Sequence, residues 1–411
     1  ITDLRTDIVK MKDGYIDFDE YIRQGEPDKQ EKATLWRTAI GLQDVDGLTT
    51  SEYLKETARK HIEGEIDIDR ARELIKTYYR SKQSREGGDD RMQEADKVSA
   101  NITKILSSES LDFSSQGIIS LHRRIFDGVF KHSGKLRDYD ITKKEWVLDY
   151  DTVLYLNWED LHRALDYDIG QERNFSYKGI SSDDLMSHIT QFVSGIWQIH
   201  PFCEGNTRTT AVFTILYLRD LGFRVNNDMF ANHSWYFRNA LVRANYRNVV
   251  KGVDYTPIYL ERFFRNLLLG EQWDLRNRYL HINPSPQWCT QPNLAAQSNE
   301  PEDADKYPTS TRQVPDKLHT DNANVKQLVS TINGRQLSVK EMLSEMGLKD
   351  RESFLKLYLS PAIGEGFVRM LHPESPRHPR QKYLLTAKGL ALSNELKSKE
   401  NDVFADQRAG I

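Results

Sequence analysis

His200-Pro201-Phe202-Cys203-Glu204-Gly205-Asn206-Thr207-Arg208 lies between two segments whose apolar residues keep a helical period. Upstream, Leu185, Ile189, Phe192, Val193, Ile196 and Trp197 share a face, which predicts a core-facing helix over residues 181–200. Pro201 ends or bends it. Downstream, Ala211, Val212, Phe213, Ile215, Leu216, Tyr217 and Leu218 are apolar nearly all round, so a second helix starting near Thr207 and Arg208 is expected to be deeply buried. The nonapeptide therefore reads as a loop between two buried helices.

Each polar residue of that loop has a use if the ligand is a nucleotide polyphosphate. Gly205 permits unusual backbone torsions, and successive N–H groups at a helix start make a concave anion site that the helix dipole strengthens. Asn206 can donate to a phosphate oxygen, Arg208 adds a charged fork, and Glu204 offers an oxygen to a magnesium ion. His200, at the mouth, is placed to take a proton from an incoming hydroxyl. Phe202 is expected to pin the loop to the core. The bland alternative is a solvated connection that happens to carry one His, one Glu and one Arg.

The ordered nonapeptide resembles the signature of the Fic (filamentation induced by cAMP) family, H-x-F-x-[D/E]-G-N-x-R-x-x-R. The resemblance implies His200 as general base, Glu204 as the magnesium residue, and Gly205, Asn206, Thr207 and Arg208 as nucleotide-phosphate contacts. Two positions depart from it: Thr207 stands where Gly or Lys is usual, and Ala211 where a second Arg is expected. In this family that second Arg helps hold the γ-phosphate, so its loss implies a loosely held γ-phosphate, with ADP binding nearly as well as ATP.

The chain has 411 residues, 38% hydrophobic and 29% charged, with a net charge of −4, enough for two or three cores of ordinary size. No apolar run reaches the length of a membrane span and the start of the sequence lacks a signal-like apolar stretch, so a cytoplasmic protein without membrane partners is expected. Cys203 and Cys289 are too few for a disulfide framework. Cys203 could also be read as a nucleophile, but no second His or Asp lies close to it in sequence.

Residues 1–85 read as a small helical module, with helices over 31–42, 51–61 and 67–79. It resembles the antitoxin chains that clamp Fic toxins through a Ser-x-x-x-Glu-Gly stretch. By the spacing of its glycines, Asp46 falls at the inhibitory Glu and Leu42 at the Ser; Glu63 before Gly64 is a second inhibitory candidate. With Ala211 at the partner Arg, a full-length clamp carboxylate would be buried unpaired, so the module is expected to be a remnant or a differently wired regulator and not a strong Glu-type clamp, with Asp46→Ala raising automodification only slightly.

The polar run over residues 81–91 reads as a linker or exposed loop before a catalytic domain at 92–275, with helices over 94–106, 115–130, 233–246 and 255–269. Residues 139–155 flank the turn-prone Asp149-Tyr150-Asp151 and predict a β-hairpin, which either covers the core or, by the resemblance, forms a flap docking the target through Thr142, Lys143, Lys144, Trp146 and Val147. Phe237, Leu241 and Asn245 share a helix face, which is either core or, by the resemblance, the adenine contact, with Asn245 bonding the base.

Residues 283–320 have linker composition. Residues 321–400 then give helices and two short strands that resemble a winged helix-turn-helix domain, with 13 Lys and Arg against 8 Asp and Glu from Lys326 to Glu400. Arg377, Arg380 and Lys382 in its turn are candidate DNA contacts; a protein contact is the alternative.

The fold expected is thus mainly α: a Fic helical core with a hairpin flap, plus the C-terminal domain. The resemblance implies a bacterial protein adenylyltransferase that moves AMP from ATP, with magnesium, to a Ser, Thr or Tyr hydroxyl of a target protein, with automodification. The alternatives are transfer of another nucleotide, and a DNA-binding regulator with a nucleotide-sensing or inactive core. The oligomeric state is left open.

Overall fold

A computed structural model of the chain describes residues 18, 22, 26–86, 90–107, 111–225, 228–283, 320–371, 381–386 and 388–397. In order, α1 (Pro27–Gly41) leads through a 3-10 turn (Leu42–Asp46) to α2 (Glu52–Ile62), α3 (Ile68–Glu86) and α4 (Asp90–Leu106). Then come α5 (Ser115–Ile125), α6 (Leu161–Asn174), α7 (Ser182–Ile199), α8 (Asn206–Asp220), α9 (Asp228–Asn232), α10 (Ser234–Ala244) and α11 (Ile258–Phe264). The C-terminal part has α12 (Ala323–Ile332), α13 (Val339–Glu345), α14 (Arg351–Phe354), a further helical run to Gly364, and strands β1 (Val368–Met370) and β2 (Tyr383–Leu385). The fold is mainly helical, as expected.

Helices α7 and α8 form where the apolar period places them. Ser181 caps α7 by accepting from Asp184 N, and both helices sink Ile189, Val193, Trp197, Val212, Ile215 and Leu218 into the main core. That core also takes Leu35, Ala39 and Leu42 of the N-terminal helices. Helix α1 is therefore packed onto the centre, while α2 and α3 join it in a smaller cluster, Trp36, Leu54, Ile62, Ile75 and Tyr79 with Ala100 of α4.

Three expectations are corrected. The polar run at 81–91 is not wholly a linker, because α3 continues to Glu86 and α4 begins at Asp90. Helix α6 was not foreseen; the apolar part of its buried stripe is only Leu161, Leu165 and Ile169, about one residue per turn, with Glu172 buried after them. No strand forms over residues 139–155, which fold instead around a 3-10 turn, Trp146–Leu148. There Val147 and Leu148 are both fully buried, which breaks strand alternation, and Glu145 N donates to Asp151 O at 2.9 Å to close the loop.

In the C-terminal part, β1 and β2 pair antiparallel with Val368 opposite Leu385, and Leu337 bridges to Tyr383. This part touches the centre by backbone. Gly366 has φ 76°, and a Cβ there would lie 1.9 Å from the carbonyl oxygen of Gly222. Gly366→Ala is therefore expected to cost about 1–3 kcal/mol through strain and crowding, lowering the thermal midpoint by several degrees. An unchanged melting curve would mean that this approach loosens at no cost.

Candidate functional site

His200 ends α7 in the left-handed conformation, φ 50° and ψ 57°, so the chain turns sharply at the imidazole. Nδ1 lies 3.2 Å from Trp197 O, an acceptor, which assigns the proton to Nδ1 and leaves the lone pair on Nε2. Nε2 has no hydrogen-bond partner among the described residues. Burial, aided by the Lys143 charge, holds the ring well below its ordinary pKa of 6.5, so it is neutral. The Tyr155 ring stacks over it with centroids 4.0 Å apart.

The loop is fixed by its own residues and by two that the sequence reading missed. Asn206 Oδ1 accepts from Phe202 N and Nδ2 donates to Phe202 O, at 2.9 and 2.7 Å. Gly205, φ 75°, starts α8, and a Cβ there would meet the Phe126 ring at 2.2 Å. Thr207 Oγ1 accepts from the Trp197 indole at 3.0 Å. Arg137 is a buried strut, donating Nε to His200 O at 2.9 Å and its other nitrogens to the carbonyls of Tyr139 and Leu156. His122 stacks on Phe202 at 3.8 Å, accepts Gly134 N at Nδ1, and donates from Nε2 to Glu204 O at 3.1 Å.

Arg208 is 1% exposed, and its guanidinium meets two carboxylates, an amide and an aromatic ring. Nε lies 2.7 Å from Asp46 Oδ2, close though the N–H does not point along the contact. Nη1 donates to Gln43 at 3.0 Å, Nη2 to Glu94 at 2.6 Å, and the guanidinium lies over Phe126. The second oxygen of Asp46 faces Arg238 Nη1 at 3.2 Å, and Arg238 forks onto Glu145 with Nη2 at 3.0 Å from both oxygens. Glu94, Arg208, Asp46, Arg238 and Glu145 thus form one alternating chain. The expectation that Asp46 lacks an Arg is corrected: it has two.

Other expected site residues are placed differently. Glu63 pairs with Lys29 at 2.8 Å within the N-terminal helices. The Asn206 amide is engaged inside the loop and not turned toward a ligand. Phe237 and Leu241 are fully buried, Phe237 against Phe230, Phe263 and Phe264, so this face is core. Asn245 Nδ2 donates to Ser194 O and Oγ and to Leu241 O, fastening α10 to α7. Of the docking residues, Val147 is buried with its carbonyl taken by Ile282 N, and Trp146 packs edge-on against His281. Thr142 and Lys144 are exposed, and Lys143 pairs with Glu204 at 3.2 Å. Arg377 and Arg380 lie outside the described residues; Lys382 donates to Gln336 O at 3.3 Å.

Among the described residues no three His, Cys, Asp or Glu gather as a metal cage. Magnesium needs none: it is typically held by one or two carboxylates plus substrate phosphates, and Glu204, 57% exposed beside the start of α8, fits that part. Nor is any described helix long and apolar enough to cross a membrane.

Residues 112–218, which include the whole loop, match the profile of the Fic/DOC family. Residues 323–386 match that of the C-terminal domain of Fic-like proteins (filamentation induced by cAMP). The chain is similar to the protein adenylyltransferase VbhT of Bartonella schoenbuchensis, 22% identical over 195 residues. That stretch is 44% of this chain and 40% of VbhT, so the match spans less than half of the relative. A Fic family protein from Desulfovibrio desulfuricans aligns over 89% of this chain and 90% of its own, with TM-score 0.40 and 16% identity. Asp46 and Arg238 lie outside the residues matched to either family profile.

His122 makes the loop pH-sensitive. Burial pushes its pKa from 6.5 down to about 4, so the unfolded chain takes up the proton first as pH falls. Its contribution to stability is complete above the unfolded value and is lost progressively between 6.5 and about 4. His122→Gln is expected to reduce the slope of stability against pH in that window by about one proton's worth, read from denaturant midpoints. An unchanged slope would contradict the assignment.

Proposed function

The chain is a Fic family protein, and from that premise we propose that it is a protein adenylyltransferase, transferring AMP from ATP to a Ser, Thr or Tyr hydroxyl of a target protein and of itself. The observation that carries this reading is the His200 imidazole: neutral, protonated at Nδ1, with the Nε2 lone pair unpartnered beside the start of α8. A hydroxyl reaching Nε2 gives up its proton there while its oxygen attacks the α-phosphate, the bond to the β-phosphate oxygen breaks, and pyrophosphate leaves.

The backbone at Gly205, Asn206 and Thr207 would cradle phosphate at the N-terminus of α8, with the Asn206 amide and the His122 and Arg137 contacts holding the cradle rigid. Glu204 would hold magnesium, which when bound neutralises charge on the phosphates. Arg208 is committed to Asp46, Gln43 and Glu94, and Tyr155 covers His200, so the arrangement described is a resting state. Asp46 is then an inhibitory residue, and Glu63 has no such part.

His200→Ala is expected to lower transfer about 10²–10⁴-fold with nucleotide affinity nearly kept, because a general base acts mainly in the transition state. Transfer at wild-type speed in that variant would overturn the reading, and mass spectrometry of chain incubated with each nucleotide reports which one is moved. Asp46→Ala should raise automodification by about tenfold or more, since it frees a guanidinium held by a largely buried ion pair. No rise would mean that Asp46 is only a structural partner of Arg208.

A further inference from the structure

The pair of Glu204 and Lys143 stands apart from the other charges around the site. The Lys143 ammonium lies 3.2 Å from Glu204 Oε2, and among the described residues Glu204 makes no second ion pair. Lys143 is half-buried between the exposed Thr142 and Lys144, and the pair stays open to solvent on the Glu204 side. Both residues are fastened at the backbone. Lys143 N donates to Thr152 Oγ1 at 3.2 Å, and Thr152 N donates to Asp151 Oδ1 at 2.9 Å. Asp151 Oδ2 in turn accepts from Tyr246 Oη at 2.8 Å and Lys251 Nζ at 2.9 Å, which pins this part of the 139–155 loop to the chain after α10. On the other side, His122 Nε2 donates to Glu204 O at 3.1 Å. The two backbones are thus held, and the contact between the side-chain tips is the part that can change.

We propose that Lys143 is a placeholder cation for Glu204: it neutralises that carboxylate in the metal-free chain and gives it up to the divalent ion that accompanies the nucleotide. This rests on the reading of Glu204 as the magnesium residue. A lone carboxylate next to the N–H groups that open α8 opposes the anion those groups attract, because like charges a few ångströms apart repel appreciably even in water. An ammonium 3.2 Å from the carboxylate offsets that repulsion. The contact is also one that a metal ion can replace. An ion pair this exposed contributes little net stability, and lysine is a compact point charge on a flexible stem, without the planar fork through which Arg208 meets both Asp46 and Glu94. This role differs from the docking part that the sequence resemblance implies for Lys143.

The test is calorimetric titration of the full chain with ADP, once in excess EDTA and once in excess magnesium chloride, and the readout is the ratio of the two affinities, which needs no turnover. Lys143→Met keeps the apolar stem and removes the charge. It is expected to weaken metal-free ADP about two- to fivefold and to leave magnesium-loaded ADP unchanged or tighter, so that the ratio rises by at least about twofold. Lys144→Met removes the same charge from the exposed neighbour and should leave the ratio at the parent value. Glu204→Gln should lower the ratio, and adding Lys143→Met to it should no longer raise it. A ratio unmoved by Lys143→Met, an equal loss with and without magnesium, or a rise that persists in the Glu204→Gln background would overturn the proposal; the second and third would make Lys143 a phosphate contact. The same set separates this inference from the reading beneath it. Glu204→Gln with the parent ratio would reject the metal assignment and the placeholder together, whereas a lowered ratio there with no effect of Lys143→Met would reject the placeholder alone.

Discussion

The Asp46 carboxylate held between Arg208 and Arg238 is the contact that joins the charged residues around the site into one chain. Charges this little exposed are tolerable only in pairs, and removing one partner from such a set typically costs several kcal/mol because the rest are left buried. Here the set runs through five parts of the chain: Glu94 on α4, Arg208 on α8, Asp46 at the end of the N-terminal 3-10 turn, Arg238 on α10 and Glu145 in the loop beside it. The ion pairs thereby tie the N-terminal turn, the loop carrying Glu145 and helix α10 to the start of α8.

Beside that movable contact, the catalytic loop itself is rigid. Asn206 staples it end to end, Gly205 fits against Phe126 only because it has no side chain, and Arg137 and His122 take the carbonyls of His200 and Glu204 from outside. Such a loop presents N–H groups and the His200 lone pair in a geometry set before any ligand arrives, which is what electrostatic preorganisation requires. Under the proposed transfer the two properties would divide the labour, the loop holding the reacting groups still and the ion-pair chain governing access to them.

Much of this was legible in the sequence. The apolar periods of residues 185–197 and 211–218 located α7 and α8, and the nonapeptide's order carried the resemblance. What was not legible were contacts between residues distant in sequence. Ala211 made Asp46 look unpaired because sequence spacing offers only the expected partner, while the actual ones, Arg208 and Arg238, are reached by the fold. Arg238 did leave a trace, as a charge inside the otherwise buried run of α10. The hairpin over 139–155 failed for a local reason: its apolar residues were read as two strands, but Val147 and Leu148 both turn inward. Phe237 and Leu241 sat at a spacing compatible with core or pocket, and the aromatic cluster around Phe237 decides for core.

The most direct measurement is an experimental structure of the full chain with ATP and magnesium bound. The account predicts Asp46 displaced from Arg208, the Arg208 guanidinium on phosphate oxygen, and His200 Nε2 uncovered by Tyr155 beside the α-phosphate. Bound ATP with the Asp46 pairs intact and Tyr155 still on His200 would contradict it.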